Sequence, residues 1–449
     1  MDVNKVSSKR IDQLIQLLDD ISAERGSQDH KLRTFLEQYS EIPREGKPVF
    51  FDGLMRRLEV KKEEIEEDLR NLLEREEGDT VRWSQQLNRL RKKLESPRIK
   101  AFRRFLNLSG GLKFLLDLRA DIIAAQRQAS MNVEPLDEDI AHLFNSWFQE
   151  GFLYLQEITQ DSSYRQIQFL KSHDMVHPMT NLEEMGDRLG EDRRCFALYH
   201  RVMPEEPVVF IEVALSRGII KTIHEVIDKA VEDRDNSKGN PDTAIFYSIN
   251  NTQNGLAGLG LGKVLIFQVV DALKRDHPGI RTFSTLSPIT GFSERYLKRI
   301  LQGDDGNFSM KQEKLLTYFP EKVQQALAGR YEENTGTPPA DFAACLLSIL
   351  SDPTWIEDPV YTQHLKKPLT EIGYYYIAQE KNRQGKPLNP VANFHMGNGA
   401  TVGLSNVHFG GNRFPRGVKE SCSLMVNYVY SRSWLQEFSK TMQAWLPWT

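Results

Sequence analysis

The sequence predicts an α+β protein, with an all-helical bundle leading into a mixed α/β domain, and three observations carry the prediction. Apolar residues recur at helical spacing from residue 1 to about 148. Beyond Phe148, β-type runs separated by turn signals take over. A cluster of glycines, Gly255, Gly258, Gly260 and Gly262, then stands between one such run and a well-formed amphipathic helix. The expected division is 1–148 for the helical domain and 149–449 for the mixed domain.

The 449 residues, 40% hydrophobic and 10% aromatic, are enough to bury a large core, and the length suits two or three domains. A net charge of -4 with 27% charged residues is near balance, so nothing global argues for nucleic acid or an anionic membrane surface. Cys195, Cys345 and Cys422 lie far apart and show no metal-ligand spacing, which favours buried thiols in a reducing compartment. No run approaches a membrane span, MDVNKVSSKRIDQL lacks a signal core, and LPWT is not a peroxisomal address. The expected location is cytoplasmic.

In the first third, Ile11, Leu14, Leu18 and Ile21 share one helical face, with Gly26 as a stop signal. Leu54, Leu58, Ile65, Leu69 and Leu72 recur inside a charged run. Trp83, Leu87, Leu90 and Leu94 form another stripe, ended at Pro97. The run from Phe102 to Ile123 is richer in apolar residues and is expected to lie deeper. Such faces bury one another in an antiparallel bundle, and charges between Lys61 and Glu77 read as a solvated face. With no clustered histidines, paired cysteines or phosphate loop, assembly with another copy is the function left to this region.

The β-type runs are CFALYH (Cys195 to His200), PVVFIEVAL (Pro207 to Leu215) and TAIFYSI (Thr243 to Ile249), with turns expected at Met203 to Pro207 and Asn236 to Pro241. After them comes Ala257, Gly258, Leu259, Gly260, Leu261, Gly262 and Lys263, leading into VLIFQVVDALKRD. Glycines let a backbone approach a ligand closely, and amides at a helix start favour phosphate. A Rossmann site would want the glycines directly after the strand, and a Walker loop would want Ser or Thr after Lys263, where Val264 stands. The remaining pattern of strand, glycine turn, helix and strand is the one acetyltransferases of the GNAT type use for the pyrophosphate of coenzyme A.

Two motifs carry candidate chemistry. In RTFSTLSPITGF (Arg281 to Phe292) a short strand holds Ser287, Pro288 stops the ladder, and a turn through Gly291 presents the hydroxyl at a sheet edge. In NPVANFHMGNGA (Asn389 to Ala400), His395 is expected in an extended run closed by Gly397, Asn398 and Gly399.

The blocks HPMTNLEEMGDRLGEDRRCFALYHRVMPEEPVVFIEVAL, NGLAGLGLGK, STLSPITGF, LNPVANFHMGNGA and SCSLMVNYVY together resemble malonyl-CoA decarboxylase, in order and through nearly all of the chain after residue 148. The resemblance implies a GNAT-like acyl-CoA-binding catalytic domain and the conversion of malonyl-CoA to acetyl-CoA and carbon dioxide. It implies no biotin, no metal and no cofactor beyond the coenzyme A of the substrate. It also implies a homo-oligomer, dimer or tetramer, assembled through the N-terminal helices. The family's catalytic serine falls on Ser287, its catalytic histidine on His395, and its coenzyme A loop on Ala257 to Lys263. Some members carry an acidic residue where this chain has Gly260, so no catalytic carboxylate is expected there.

Loss of the malonyl carboxylate leaves an electron pair that the thioester accepts as an enolate. Donors must steady that oxyanion and a proton must reach carbon. His395 is expected to give the proton from a pKa near neutrality, and Ser287 to bond to the histidine or the malonyl group and relay or orient the proton. Pocket roles are weaker for His177 and Asn181, for Tyr374, Tyr375 and Tyr376 in an expected helix, and for Asn427 and Tyr428 in the expected final strand. The competing readings are an acyl-CoA-dependent acyltransferase and a non-catalytic acyl-CoA-binding scaffold.

Overall fold

The computed structural model describes residues 3–23, 28–73, 80–129, 131–148, 150–174, 186, 188–190, 192–227, 240–304 and 306–431. Two compact units emerge. One comprises residues 1–156, 197–210 and 251–264, the other residues 157–196, 211–250 and 265–449.

The first unit contains α1 (Val3–Ala23), α2 (Asp29–Ser40), α3 (Lys47–Arg57), α4 (Lys62–Leu73), α5 (Thr80–Leu94), α6 (Pro97–Phe105), α7 (Gly111–Ala129) and α8 (Glu134–Trp147). Ile11, Leu14, Leu18 and Ile21 are all buried, as their shared face requires, while Gly26 lies outside the described residues. The stripe from Leu54 to Leu72 is not one helix: α3 ends at Arg57 and α4 starts at Lys62, with Leu54 and Leu58 buried and Leu69 41% exposed. Pro97 starts a helix as well as marking a boundary. Its missing N–H costs nothing at the first helical position, and the Ser96 hydroxyl accepts from the Ile99 N–H at 3.3 Å. Phe35, Tyr39, Phe50, Phe105 and Phe114 pack with ring centroids 4.9 to 6.3 Å apart, and the Tyr39 hydroxyl donates to Asp121 at 2.9 Å.

The strands are β1 (Leu153–Ile158), β2 (Arg193–His200), β3 (Met203–Ser216), β4 (Thr243–Asn251), β5 (Thr282–Thr285), β6 (Ser287–Pro288), β7 (Ala400–Thr401), β8 (Val407–His408), β9 (Met425–Val426) and β10 (Val429–Tyr430). One sheet runs β1-β2-β3-β4-β5-β10-β7 and a second runs β6-β9-β8. The turn expected at Met203 to Pro207 is instead the start of β3, and residues 236–239 of the other expected turn lie outside the described residues.

In the second unit, β4 and β5 pair in parallel from Thr243↔Thr282 to Phe246↔Thr285. Parallel neighbours need a crossover, supplied by α10 (Leu261–Asp276). The remaining helices include α9 (Tyr164–His173), α11 (Phe342–Ser351), α12 (Pro359–Ala378) and α13 (Pro390–Gly397). Ala214, Ile220, Ile223, Val226, Ile245, Tyr247, Leu286 and Met425 form one buried apolar cluster. Cys195, Cys345 and Cys422 are buried free thiols.

Candidate active site

Ser287 sits where the chain changes sheets. The Leu286 N–H still donates to Phe246 O of β4 at 3.0 Å, and Ser287 then pairs antiparallel with Val426. Pro288 pairs with Met425, so it redirects the ladder into the second sheet, where the sequence suggested that it would end pairing. Proline suits the change because it brings no N–H to the new strand. Behind it, Gly291 adopts φ +76° before a π-helical turn over Phe292–Leu297, a conformation that a side chain would strain. Ser287 is half-buried, and its hydroxyl has no hydrogen-bond partner among the described residues.

His395 lies on the helix α13, not in an extended run. The dipeptide before that helix explains why: Asn389 is the N-cap, its Oδ1 accepting from the Ala392 N–H at 2.9 Å, and Pro390 follows at the first helical position. This start signal was legible in NPVANFH, and the glycines after His395 obscured it. Nδ1 of His395 lies 2.8 Å from the Tyr430 hydroxyl oxygen, and its ring stacks on Tyr428 with centroids 4.9 Å apart. Burial pushes the imidazole pKa down to about 3. This departs from the near-neutral pKa expected from the sequence and leaves His395 uncharged at neutral pH. Burial also raises the Tyr430 hydroxyl well above its usual range, so that group is neutral. In the tautomer in which Tyr430 donates to Nδ1, the imidazole proton sits on Nε2.

No hydrogen bond joins Ser287 to His395 among the described residues; the histidine's partner is Tyr430. The two residues are nevertheless held by one framework. Tyr430 pairs with Phe283 of β5, while Tyr428 exchanges bonds with Thr285, its carbonyl accepting from the Thr285 N–H at 3.0 Å and its N–H donating to Thr285 Oγ1 at 3.1 Å. Thr285 is two residues before Ser287. Asn427 and Tyr428 lie between β9 and β10 rather than inside one strand. Asn427 is buried and structural: its Nδ2 donates to the carbonyls of Ile220 and Thr285, and its Oδ1 lies 2.6 Å from His408 Nε2. The Tyr428 hydroxyl is buried with no hydrogen-bond partner among the described residues. Tyr374, Tyr375 and Tyr376 fall on α12, and Tyr376 alone of the three is fully buried, 3.5 Å from where a Cβ on Gly291 would stand. His177 and Asn181 lie outside the described residues.

Sequence reasoning missed a buried polar network in the same unit. Asp174 Oδ1 accepts from Ser248 at 3.2 Å and from Asn250 at 3.0 Å, and Arg188 donates to Asp174 at 2.7 Å and to Glu212 at 3.4 Å. Burial, reinforced by the Asp174 charge, raises Glu212 to about 7. Ser248 and Asn250 lie in the part of β4 that runs beyond its pairing with β5.

The glycine loop belongs to the first unit. Gly258 and Gly260 have φ +82° and +71° with open space around them, whereas a Cβ on Gly255 would stand 2.0 Å from the Leu116 carbonyl oxygen. Gly255 thus serves packing against α7, and the two later glycines serve the turn. Arg119 of α7 donates to the carbonyls of Gly255 at 2.7 Å and Ala257 at 3.0 Å, and is itself fixed by Asp137 at 2.7 Å. More than 130 residues separate Arg119 from the loop, so no local pattern announces the contact. The Lys263 N–H closes onto the Gly260 carbonyl at 3.0 Å, and Leu261 and Gly262 begin α10. Leu259 is half-buried between the two positive-φ glycines. Among the described residues no three His, Cys, Asp or Glu side chains group as a metal would need, and no described helix is long and apolar enough to cross a membrane.

The profile of the malonyl-CoA decarboxylase C-terminal domain matches residues 151–443, and that of the N-terminal domain matches residues 58–148. The chain is 34% identical over 341 residues to malonyl-CoA decarboxylase, mitochondrial, of Anser anser anser, covering 75% of this chain and 64% of that protein. It is 34% identical over 332 residues to the Mus musculus protein of the same name, covering 73% and 64%. The chain thus spans just under two thirds of the length of these curated relatives. The crystal structure of malonyl-CoA decarboxylase from Rhodopseudomonas palustris superposes with a TM-score of 0.75 at 29% identity, covering 95% of this chain and 94% of that one. The structure from Agrobacterium vitis gives 0.72 at 28% identity, covering 93% of each. With family profiles aligned over both its helical and its mixed α/β regions, this chain belongs to the malonyl-CoA decarboxylase family.

Proposed function

We propose that this protein is a carboxy-lyase that converts malonyl-CoA to acetyl-CoA and carbon dioxide through a thioester enolate. The observation that carries the reading is a buried, uncharged His395, fixed by Tyr430, on the framework that holds Ser287. Burial that disfavours the imidazolium is offset when a malonyl carboxylate arrives, because an opposite charge nearby favours the charged form. His395 then takes up a proton as the substrate binds. The carbon–carbon bond breaks, its electron pair moves into the thioester as carbon dioxide leaves, and His395 returns the proton to the α-carbon. The net reaction consumes one proton, as decarboxylation of a carboxylate must. Ser287, its hydroxyl unclaimed by any described residue, orients the malonyl group or relays the proton. The buried hydroxyl of Tyr428 is a neutral donor available to the developing oxyanion.

Coenzyme A supplies remote binding energy. The Ala257 to Lys263 loop, with two positive-φ glycines leading into the 16-residue helix α10, suits its pyrophosphate. The reading uses no metal or biotin, and neither nucleic acid nor a membrane as partner. We place the protein in the cytoplasm and its self-association in the N-terminal helices. Two sequence-based alternatives remain to be tested against it: an acyltransferase, and a scaffold that binds acyl-CoA without turnover.

The deciding experiment gives purified protein malonyl-CoA alone, with no acceptor, and follows acetyl-CoA and carbon dioxide. Both products should appear, and His395→Ala and Ser287→Ala should each lower kcat by about a hundredfold or more. Binding of malonyl-CoA with no product sinks the decarboxylase reading. Turnover that begins only when an amine or alcohol is added favours the acyltransferase.

A further inference from the structure

Ser287 and His395 sit on different elements and share no hydrogen bond among the described residues, so something else must set their relative position to a fraction of an ångström. One tie runs through β10, where Tyr430 holds Nδ1 and pairs with β5. That tie reaches the imidazole ring and not the start of the helix that carries it.

We infer that Asn389 is a positioning residue that locks the His395 helix to the turn behind Ser287, an inference that rests on the decarboxylase reading. Its side chain is fully buried and both of its polar ends are used. Oδ1 caps α13 through the Ala392 N–H at 2.9 Å, and Nδ2 donates to the carbonyl of Thr290 at 2.9 Å. Thr290 belongs to the turn Ser287 opens, since its own N–H donates to the Pro288 carbonyl at 3.0 Å. One planar amide thus joins a helix start six residues before His395 to a turn three residues after Ser287. Glycine at position 291 keeps the turn narrow: φ there is +76°, and an added Cβ would face the Tyr376 hydroxyl at 3.5 Å and the Arg295 side chain at 3.4 Å. Tyr376 in turn stacks on Tyr296 with centroids 4.5 Å apart, and the Tyr296 hydroxyl donates to the buried Glu380 at 2.9 Å. Glu380 also accepts from the backbone N–H groups of Ser309 and Met310, so the tie is anchored to packed core. An asparagine suits the post because an acceptor for the helix and a donor for the turn are needed at once, at fixed separation.

The test separates capping from tying. Asn389→Ser keeps a good N-cap acceptor but is too short to carry the amide donor to Thr290. Asn389→Asp, isosteric and also a strong cap, is the second variant should the first fail to fold. The expected result is a kcat reduced at least about tenfold with KM within about threefold, because misplacement acts on the transition state while distant coenzyme A contacts persist. In a Ser287→Ala background the same change should cost less than about threefold, since there is no serine left to misplace. Hydrogen exchange of the peptide 286–292 should accelerate, with the helix 390–397 still protected. A kcat within about twofold of wild type, or an equal loss in the Ser287→Ala background, overturns the inference while leaving the decarboxylase reading intact. If wild type shows no turnover, that reading fails and exchange alone decides. Faster exchange in 286–292 then upholds the tie, and unchanged exchange refutes it.

Discussion

At His395 two demands compete, since the proposed decarboxylation needs a proton and burial disfavours the cation. A free-protein pKa near 3 means that the ring stays neutral at working pH until an anion joins it. Binding of a non-decarboxylating malonyl-CoA analogue should therefore take up close to one proton per site near pH 6. Calorimetry in buffers of different ionisation enthalpy measures it, and no uptake would reject substrate-induced protonation. The same depression has a consequence for stability. Below pH 6.5 the unfolded chain protonates this histidine while the folded one does not, so folding is penalised increasingly as pH falls toward 3. Glu212 carries the opposite slope: its folded pKa of about 7 exceeds the ordinary 4.5, so its penalty grows as pH rises between those values. Relative to wild type, Glu212→Gln should gain stability as pH rises from 4.5 to 7 and then hold level in denaturant titrations. Tyr430→Phe would strip a buried imidazole nitrogen of its partner, at a cost of about 1–3 kcal/mol, with a fall in kcat.

Elements, rather than single residues, decide what each glycine does. Gly255 has backbone against it, with a Cβ placed 2.0 Å from the Leu116 oxygen, so Gly255→Ala must move α7 or the loop. It should cost several kcal/mol and lower Tm by roughly 5 °C or more for a domain of this size. Gly258→Ala meets open space and pays only for positive φ, about 1 kcal/mol. Its effect should fall on coenzyme A affinity by equilibrium binding, with Tm nearly unchanged. Equal Tm losses in the two variants would refute this division of labour. The helix around His395 teaches a related point about reading sequence. Asn389 and Pro390 spell a helix start, yet Gly397, Asn398 and Gly399 read as a turn, and the capping signal was decisive because it satisfies amides that a turn would leave to water.

For the whole molecule, the hairpin of α4 and α5 is distinctive. Asp68 of α4 pairs with Arg89 and Lys93 of α5, which ties the two helices together. Leu69 and Leu73, one turn apart on α4, remain 41% and 85% exposed, and Trp83 and Leu94 on α5 are 37% and 50% exposed. Exposed apolar side chains of this kind are a natural place for a second copy, consistent with the assembly proposed for the N-terminal helices. Light scattering should find an oligomer in solution. Leu69→Glu with Leu73→Glu should shift it toward the monomer without loss of helix content, and a monomeric wild type would dismiss the idea.

The sequence by itself determined the helical first third, the apolar strands β2 to β4, the helix after the glycines, and the two motifs that hold Ser287 and His395. Each of these is written in local periodicity or in a short run of neighbouring residues, where side-chain spacing and backbone preference suffice. Only the tertiary structure decided that Arg119 holds the glycine loop, that Tyr430 and not Ser287 bonds to His395, and that Asn389 ties two distant segments. These are contacts between residues 35 to 136 positions apart, made by burying polar groups that must find partners. The depressed pKa of His395 belongs with them, because desolvation is a property of everything packed around a residue and is carried by no stretch of chain alone.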